Sequence, residues 1–146
     1  MRHMLTFLAA TGATWFFAIL FRAPRKSQAV AALLGGCAYM ISEFLGGLTG
    51  VFLGALFLTL GGEMAARLMK VTATAFIMTA LVALVPGVGM YESMLLFVQN
   101  DVPAALARGL DTVAQAGAIA GAVALGSSFM RMFTLRPHAD DASRRP

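Results

Sequence analysis

The chain has 146 residues, 59% of them hydrophobic and only 12% charged, with a net charge of +4. A soluble domain is about half apolar and about a quarter charged, and a chain this short has no interior large enough to hide the excess, so the sequence belongs in lipid. The basic balance does not point to nucleic acid, because Lys and Arg flank apolar stretches and form no aromatic-interleaved patch.

Five apolar stretches follow one another, at 4–21, 28–45, 47–66, 71–99 and 109–130. At about 20 residues per crossing, five spans and short turns use up the chain and leave no room for a soluble catalytic domain. The first span, Met4 to Phe21, is bulky, with Trp15, Phe16, Phe17 and Phe21 suited to lipid. It ends at Arg22-Ala-Pro-Arg-Lys, where Pro24 cannot continue a helix comfortably. More positive charge follows this run than precedes it, so it reads as an uncleaved span and not as a signal peptide.

Ser27 to Arg67 would make a helix about twice the thickness of a bilayer, so it must fold back. The turn is expected at Ser42-Glu43-Phe44-Leu45-Gly46-Gly47, making spans two and three a helical hairpin. Gly46, Gly50 and Gly54 recur at four-residue spacing, a row that lets another backbone approach closely. Glu63 and Arg67, spaced i,i+4 with the acid first, read as an ion pair at the membrane interface.

The fourth stretch is the least regular. Val71 to Val85 is apolar, then comes Pro86-Gly87-Val88-Gly89, then Met90-Tyr91-Glu92-Ser93 and another apolar run to Val98. Proline and two glycines cannot hold a straight, fully bonded helix. Backbone opened at membrane depth must line a cavity or be buried in protein, and broken spans offer solutes the amides and carbonyls that replace water. Pro86, Gly87, Gly89, Tyr91, Glu92 and Ser93 are therefore the candidate solute-binding residues. The plainer alternative is a proline kink, with Glu92 in water and Tyr91 in the aromatic belt. Asn100, Asp101 and Pro103 form a loop, and the fifth span begins near Gly109 and Asp111. Its small residues lie in two rows, Ala114, Ala118, Ala122 and Gly126 in one, Gly117 and Gly121 in the other, as in a helix surrounded by others. Residues 1–134 thus form one five-span membrane domain, and 135–146 a polar tail expected to be disordered.

Charge gives the orientation. Arg22, Arg25, Lys26, Arg67, Lys70, Arg131, Arg136, Arg144 and Arg145 fall on one face of an alternating five-span chain, leaving Arg2 and Arg108 on the other. Basic loops stay in the cytoplasm, so the amino end is expected outside and the carboxyl end inside. Glu43 and Asp111 lie near span ends, where solvation is cheap. Cys37 is alone and reads as a packing residue; His3 and His138 lie at opposite ends and cannot share a metal. No metal spacing, phosphate-binding Gly-rich loop or Gly-x-Ser-x-Gly elbow is present. No enzyme activity, metal or cofactor is expected, and any transport would run on an ion or solute gradient.

These residues resemble the small half of the split threonine/serine exporter family. The likeness rests on Pro86-Gly87-Val88-Gly89-Met90-Tyr91, read as Pro-Gly-x-x-x-Tyr, with Met94 after it. Phe21-x-x-Pro24, Ala32-Leu33-Leu34-Gly35 and Gly62-Glu63-x-x-Ala66-Arg67 add to it, in that order within five spans over about residues 4–133. Ala73 and Ala83 stand where relatives often carry proline. The resemblance implies an all-α bundle of five transmembrane helices in a bacterial inner membrane, the fourth interrupted at Pro86-Gly87. It further implies export of small polar metabolites (threonine and serine in one branch, a dicarboxylate such as succinate in another) together with a larger multi-span partner half. Two other readings stay open: a scaffold subunit whose partner holds the whole site, and a self-sufficient homo-oligomeric efflux protein.

Overall fold

The computed structural model describes residues 2–132; the tail expected at 135–146 lies outside the described residues. The described chain is all helix: α1 (Arg2–Leu20), α2 (Arg25–Leu45), α3 (Gly47–Met69), α4 (Ala73–Leu81), α5 (Gly87–Val98) and α6 (Val102–Met132), with one 3-10 turn, Val82–Leu84, after α4. α2, α3 and α6 are long and apolar enough to cross a membrane. α4 with its 3-10 turn and α5 pass that test together, bent by 44° at the break, and α1 supplies a shorter apolar helix, Met4–Leu20. The five stretches of the sequence are thus an all-α membrane bundle whose fourth member is broken.

Each span is antiparallel to the one before it, and glycine sets most of the crossings. Gly35 of α2 faces Thr14 of α1 and the Ala80 carbonyl of α4. Gly50 and Gly54 of α3 lie against α2 so closely that an added Cβ would stand 2.6 Å from the carbonyl oxygens of Ser42 and Ala38. Gly61 faces Leu34 further along the same crossing. Gly46 serves the turn instead: with Gly47 it joins α2 to α3 at φ of 64° and 58°, a region where a Cβ is costly. Nothing lies within 4 Å of where its Cβ would be. The turn is shorter than the six residues expected, because α2 stays helical through Leu45.

α6 runs parallel to α3, with Gly126 on Thr59 and the Arg67 guanidinium on the Met130 carbonyl. The core lies among α2, α3, α4 and α6 and is built of small residues around Leu58: Ala31, Ala38, Ala55, Ala80 and Ala122, with Ile77, Leu84 and Ile119. Several hydroxyls in the interior bond within their own helices. Thr14, Thr59 and Thr112 donate to the carbonyls four residues back at 2.8, 2.8 and 2.7 Å. The outward faces are apolar and exposed, Phe16, Leu20, Leu68 and Val98 among them, the reverse of a water-soluble domain and what lipid requires.

α6 begins at Val102, about two helical turns before the expected start near Gly109. The cause is local: Asp101 Oδ1 accepts the Ala104 amide at 3.3 Å and caps the helix, while Pro103 tolerates the first turn, where its missing N–H is not needed. Asn100, with φ of 62°, makes the tight turn from α5. Arg108 is therefore a helical residue facing Glu92 of α5, not a loop residue.

Candidate functional site

The break has a simple origin. Pro86 has no amide hydrogen, and it pushes the residue before it out of helical geometry. Val85 accordingly sits at φ −60°, ψ 127°, and α5 restarts when Met90 donates to the Pro86 carbonyl at 3.3 Å. Ending one helix and starting another frees carbonyls on one side and amides on the other.

A cavity of about 230 Å³ lies beside this joint. At ~30 Å³ per water, it has room for one small metabolite. Tyr39 and Ser42 of α2, Pro86, Val88 and Gly89 at the joint, and Arg108 and Gln115 of α6 line it. Two larger grooves are almost wholly apolar. One of about 490 Å³ runs between α4, α5 and α6 past Met78, Leu81 and Ala120. Another, of about 480 Å³, separates Leu48 and Phe52 of α3 from Ala114 and Ala118 of α6.

Arg108 organises the polar side of the cavity. Its Nε and Nη2 donate to the same oxygen, Glu92 Oε2, at 2.7 and 2.6 Å. Its Nη1 reaches Asp111 Oδ2 at 3.5 Å, and that oxygen also accepts Gln115 Nε2 at 2.9 Å. The result is a ladder, Glu92–Arg108–Asp111–Gln115, running from α5 along one side of α6. Side chains of Glu92 and Arg108 are each 43% exposed, so this is an accessible pair and not a sealed one. Close by, Gly89 lies on Thr112, whose Oγ1 would be 2.5 Å from an added Cβ.

The six candidate solute residues separate. Pro86 and Gly89 line the polar cavity, and Glu92 reaches it through Arg108. Gly87 stands at the joint with open space around it. Tyr91 is 67% exposed. Ser93 donates to the Met90 carbonyl at 2.8 Å and lines an apolar groove with Met94, Leu106 and Leu110. In the packing rows, Gly50 and Gly54 are buried against α2. An added Cβ at Gly117 or Gly121 would meet nothing within 4 Å.

Sequence reasoning misses Tyr39, Ser42, Arg108 and Gln115 as site residues. For Arg108 a signal exists. Glu92 and Arg108 are equidistant from Asn100, and an antiparallel helical pair turning there brings such positions together. The late start expected for the fifth span conceals it.

No curated protein and no solved structure matches the chain. A family model does match, over residues 6–129, and it carries the description Threonine/Serine exporter, ThrE. A multi-pass apolar bundle with a polar cavity at a broken span, matched by that model across most of its length, belongs to the threonine/serine exporter family.

Proposed function

We propose that this chain is one half of a two-part secondary transporter, and that small polar metabolites of the threonine and serine type leave the cell past the Pro86–Gly89 joint. One observation carries the reading: the break in the fourth span adjoins a cavity lined by polar side chains from two other helices, Tyr39 and Ser42 of α2 and Arg108 and Gln115 of α6. Moving a hydrophilic solute through lipid requires such groups at the point where the backbone is interrupted. Family membership supports the transport role.

The open α5–α6 region supports a larger partner half. α5 buries none of its residues, and Gly117 and Gly121 present bare backbone to the outside of the bundle, a surface that a further helix can approach closely. Orientation follows the charges. The ends of α1, α3 and α6 that carry Arg22, Arg67 and Arg131 share one face of the bundle, which the positive-inside rule assigns to the cytoplasm of a bacterial inner membrane. The α2–α3 turn and Asn100 then lie outside, and the cavity sits toward the exit.

The test is threonine efflux from loaded cells making both halves. Gly89→Leu drives a side chain into Thr112 and the cavity, and it should lower efflux at least tenfold while the chain still accumulates in the membrane. Unchanged efflux from that variant would remove the cavity from the solute path.

A further inference from the structure

We propose that Arg108 is the carboxylate receptor of this cavity, that Glu92 occupies it until solute arrives, and that together they select zwitterionic amino acids over dicarboxylates. The inference rests on the reading that solute passes through the cavity, and it assigns the groups that choose the solute.

The geometry of the guanidinium is the first argument. Arginine binds a carboxylate best through two parallel N–H···O bonds. Here the Nε and Nη2 edge spends both donors on one oxygen of Glu92, and the remaining edge makes only a 3.5 Å contact with Asp111. An incoming carboxylate would use the same edge with two oxygens. Exposure is the second argument: the pair is not sealed by the protein around it, and Arg108 lines the cavity wall directly. The first turn of α5 also contributes Val88 and Gly89 to that wall, and a helix start carries partial positive charge that favours an anion.

Net charge supplies the selectivity. Arg108 stands among two acids, Glu92 and Asp111, so the cluster is negative by one unit when both are ionised. A dicarboxylate brings one charge for Arg108 and a second that both acids repel. An α-amino acid brings one carboxylate and one ammonium. Its carboxylate replaces Glu92 on Arg108, and its ammonium pairs with the displaced Glu92. Charge is conserved at each contact, and every charged group keeps a partner of opposite sign.

The experiment measures L-serine transport by the complete two-part exporter in inverted membrane vesicles, with succinate and L-serinamide as competitors. In the wild type, serine is transported, a large excess of succinate competes poorly, and serinamide, having no carboxylate, does not compete. R108Q should lose serine transport at least tenfold, and R108K should lose it by an intermediate factor because charge remains without the fork. E92Q should make succinate at least tenfold more effective as a competitor relative to serine. A merely structural role would depress transport without changing that ratio. R108Q transport within twofold of wild type, or an unchanged ratio in E92Q, overturns the inference. If R108Q does not accumulate, the E92Q ratio decides alone. The wider reading fails separately, through unchanged efflux in Gly89→Leu or absence of serine transport by the wild type.

Discussion

Where α2 crosses α3, main chain meets main chain: the carbonyls of Ser42 and Ala38 approach Gly50 and Gly54 with no side chain between them. Where α5 crosses α6, the contacts are Gly89 on the Thr112 side chain and the exposed pair of Glu92 with Arg108. The first crossing cannot open without separating two backbones packed at van der Waals contact along several turns. The second is held by side chains that can change rotamer or partner. α5 buries no residue, whereas α3 buries seven. In a transporter, one region must hold its shape while another rearranges. Backbone contact thus holds the α2–α3 crossing, and side-chain contact holds the α5 arm that follows Pro86.

The largest effect that would sharpen this contrast lies at Gly54. A side chain there collides with a backbone carbonyl, which has no rotamer to escape into, so the two helices must part. Gly54→Leu should prevent stable accumulation of the chain in the membrane, seen as loss of full-length protein by immunoblot. Normal accumulation would mean that the α2–α3 contact is not what holds the bundle. The same substitution at Gly121, which meets open space, provides the control within the isolated chain.

A smaller effect separates the regions by side-chain packing. Leu58 is fully buried among alanines and Ile119, and truncating a buried leucine costs roughly 2–5 kcal/mol, with the cavity term dominating where neighbours cannot collapse. Leu58→Ala should lower unfolding free energy in detergent by about 2 kcal/mol or more. Met94→Ala on α5 removes a side chain that is 73% exposed and should stay within about 0.5 kcal/mol of wild type. Equal losses would show that the α5 arm is packed as firmly as the bundle.

Much of this architecture is legible in the sequence, for reasons that differ by residue. Apolar length alone marks α2, α3 and α6, and Pro86 with its flanking glycines marks the break wherever the helix lies. The Gly50 and Gly54 crossing follows from spacing because a hairpin folds its own arms together. Spacing cannot distinguish Gly46, which extends the same row but bends the chain instead. Nor can it say that Gly117 and Gly121 look away from the bundle, because periodicity groups residues on a face without saying what the face meets. The polar wall is hidden for a different reason. A charge near a span end reads as solvated, which assigns Arg108 to the loop side; the Asp101 cap extends α6 and sets Arg108 on the helix against Glu92. Tyr39 and Ser42 carry no local signal, since a tyrosine and a serine in an apolar helix are ordinary until a neighbouring break opens beside them.

The smallest expected effect concerns the other end of α3. Glu63 and Arg67 have the spacing of an ion pair, but their closest atoms are 4.0 Å apart and the arginine side chain is 41% exposed. Such a pair contributes little. Arg67 Nη2 instead donates to the Met130 carbonyl of α6 at 2.9 Å. Arg67 therefore ties α3 to α6 where the two run parallel. Arg67→Ala should cost about 1 kcal/mol in detergent unfolding, and Glu63→Gln should cost less than half of that. A Glu63→Gln loss as large as that of Arg67→Ala would return the contact to the ion pair and release α6 from α3 at this end.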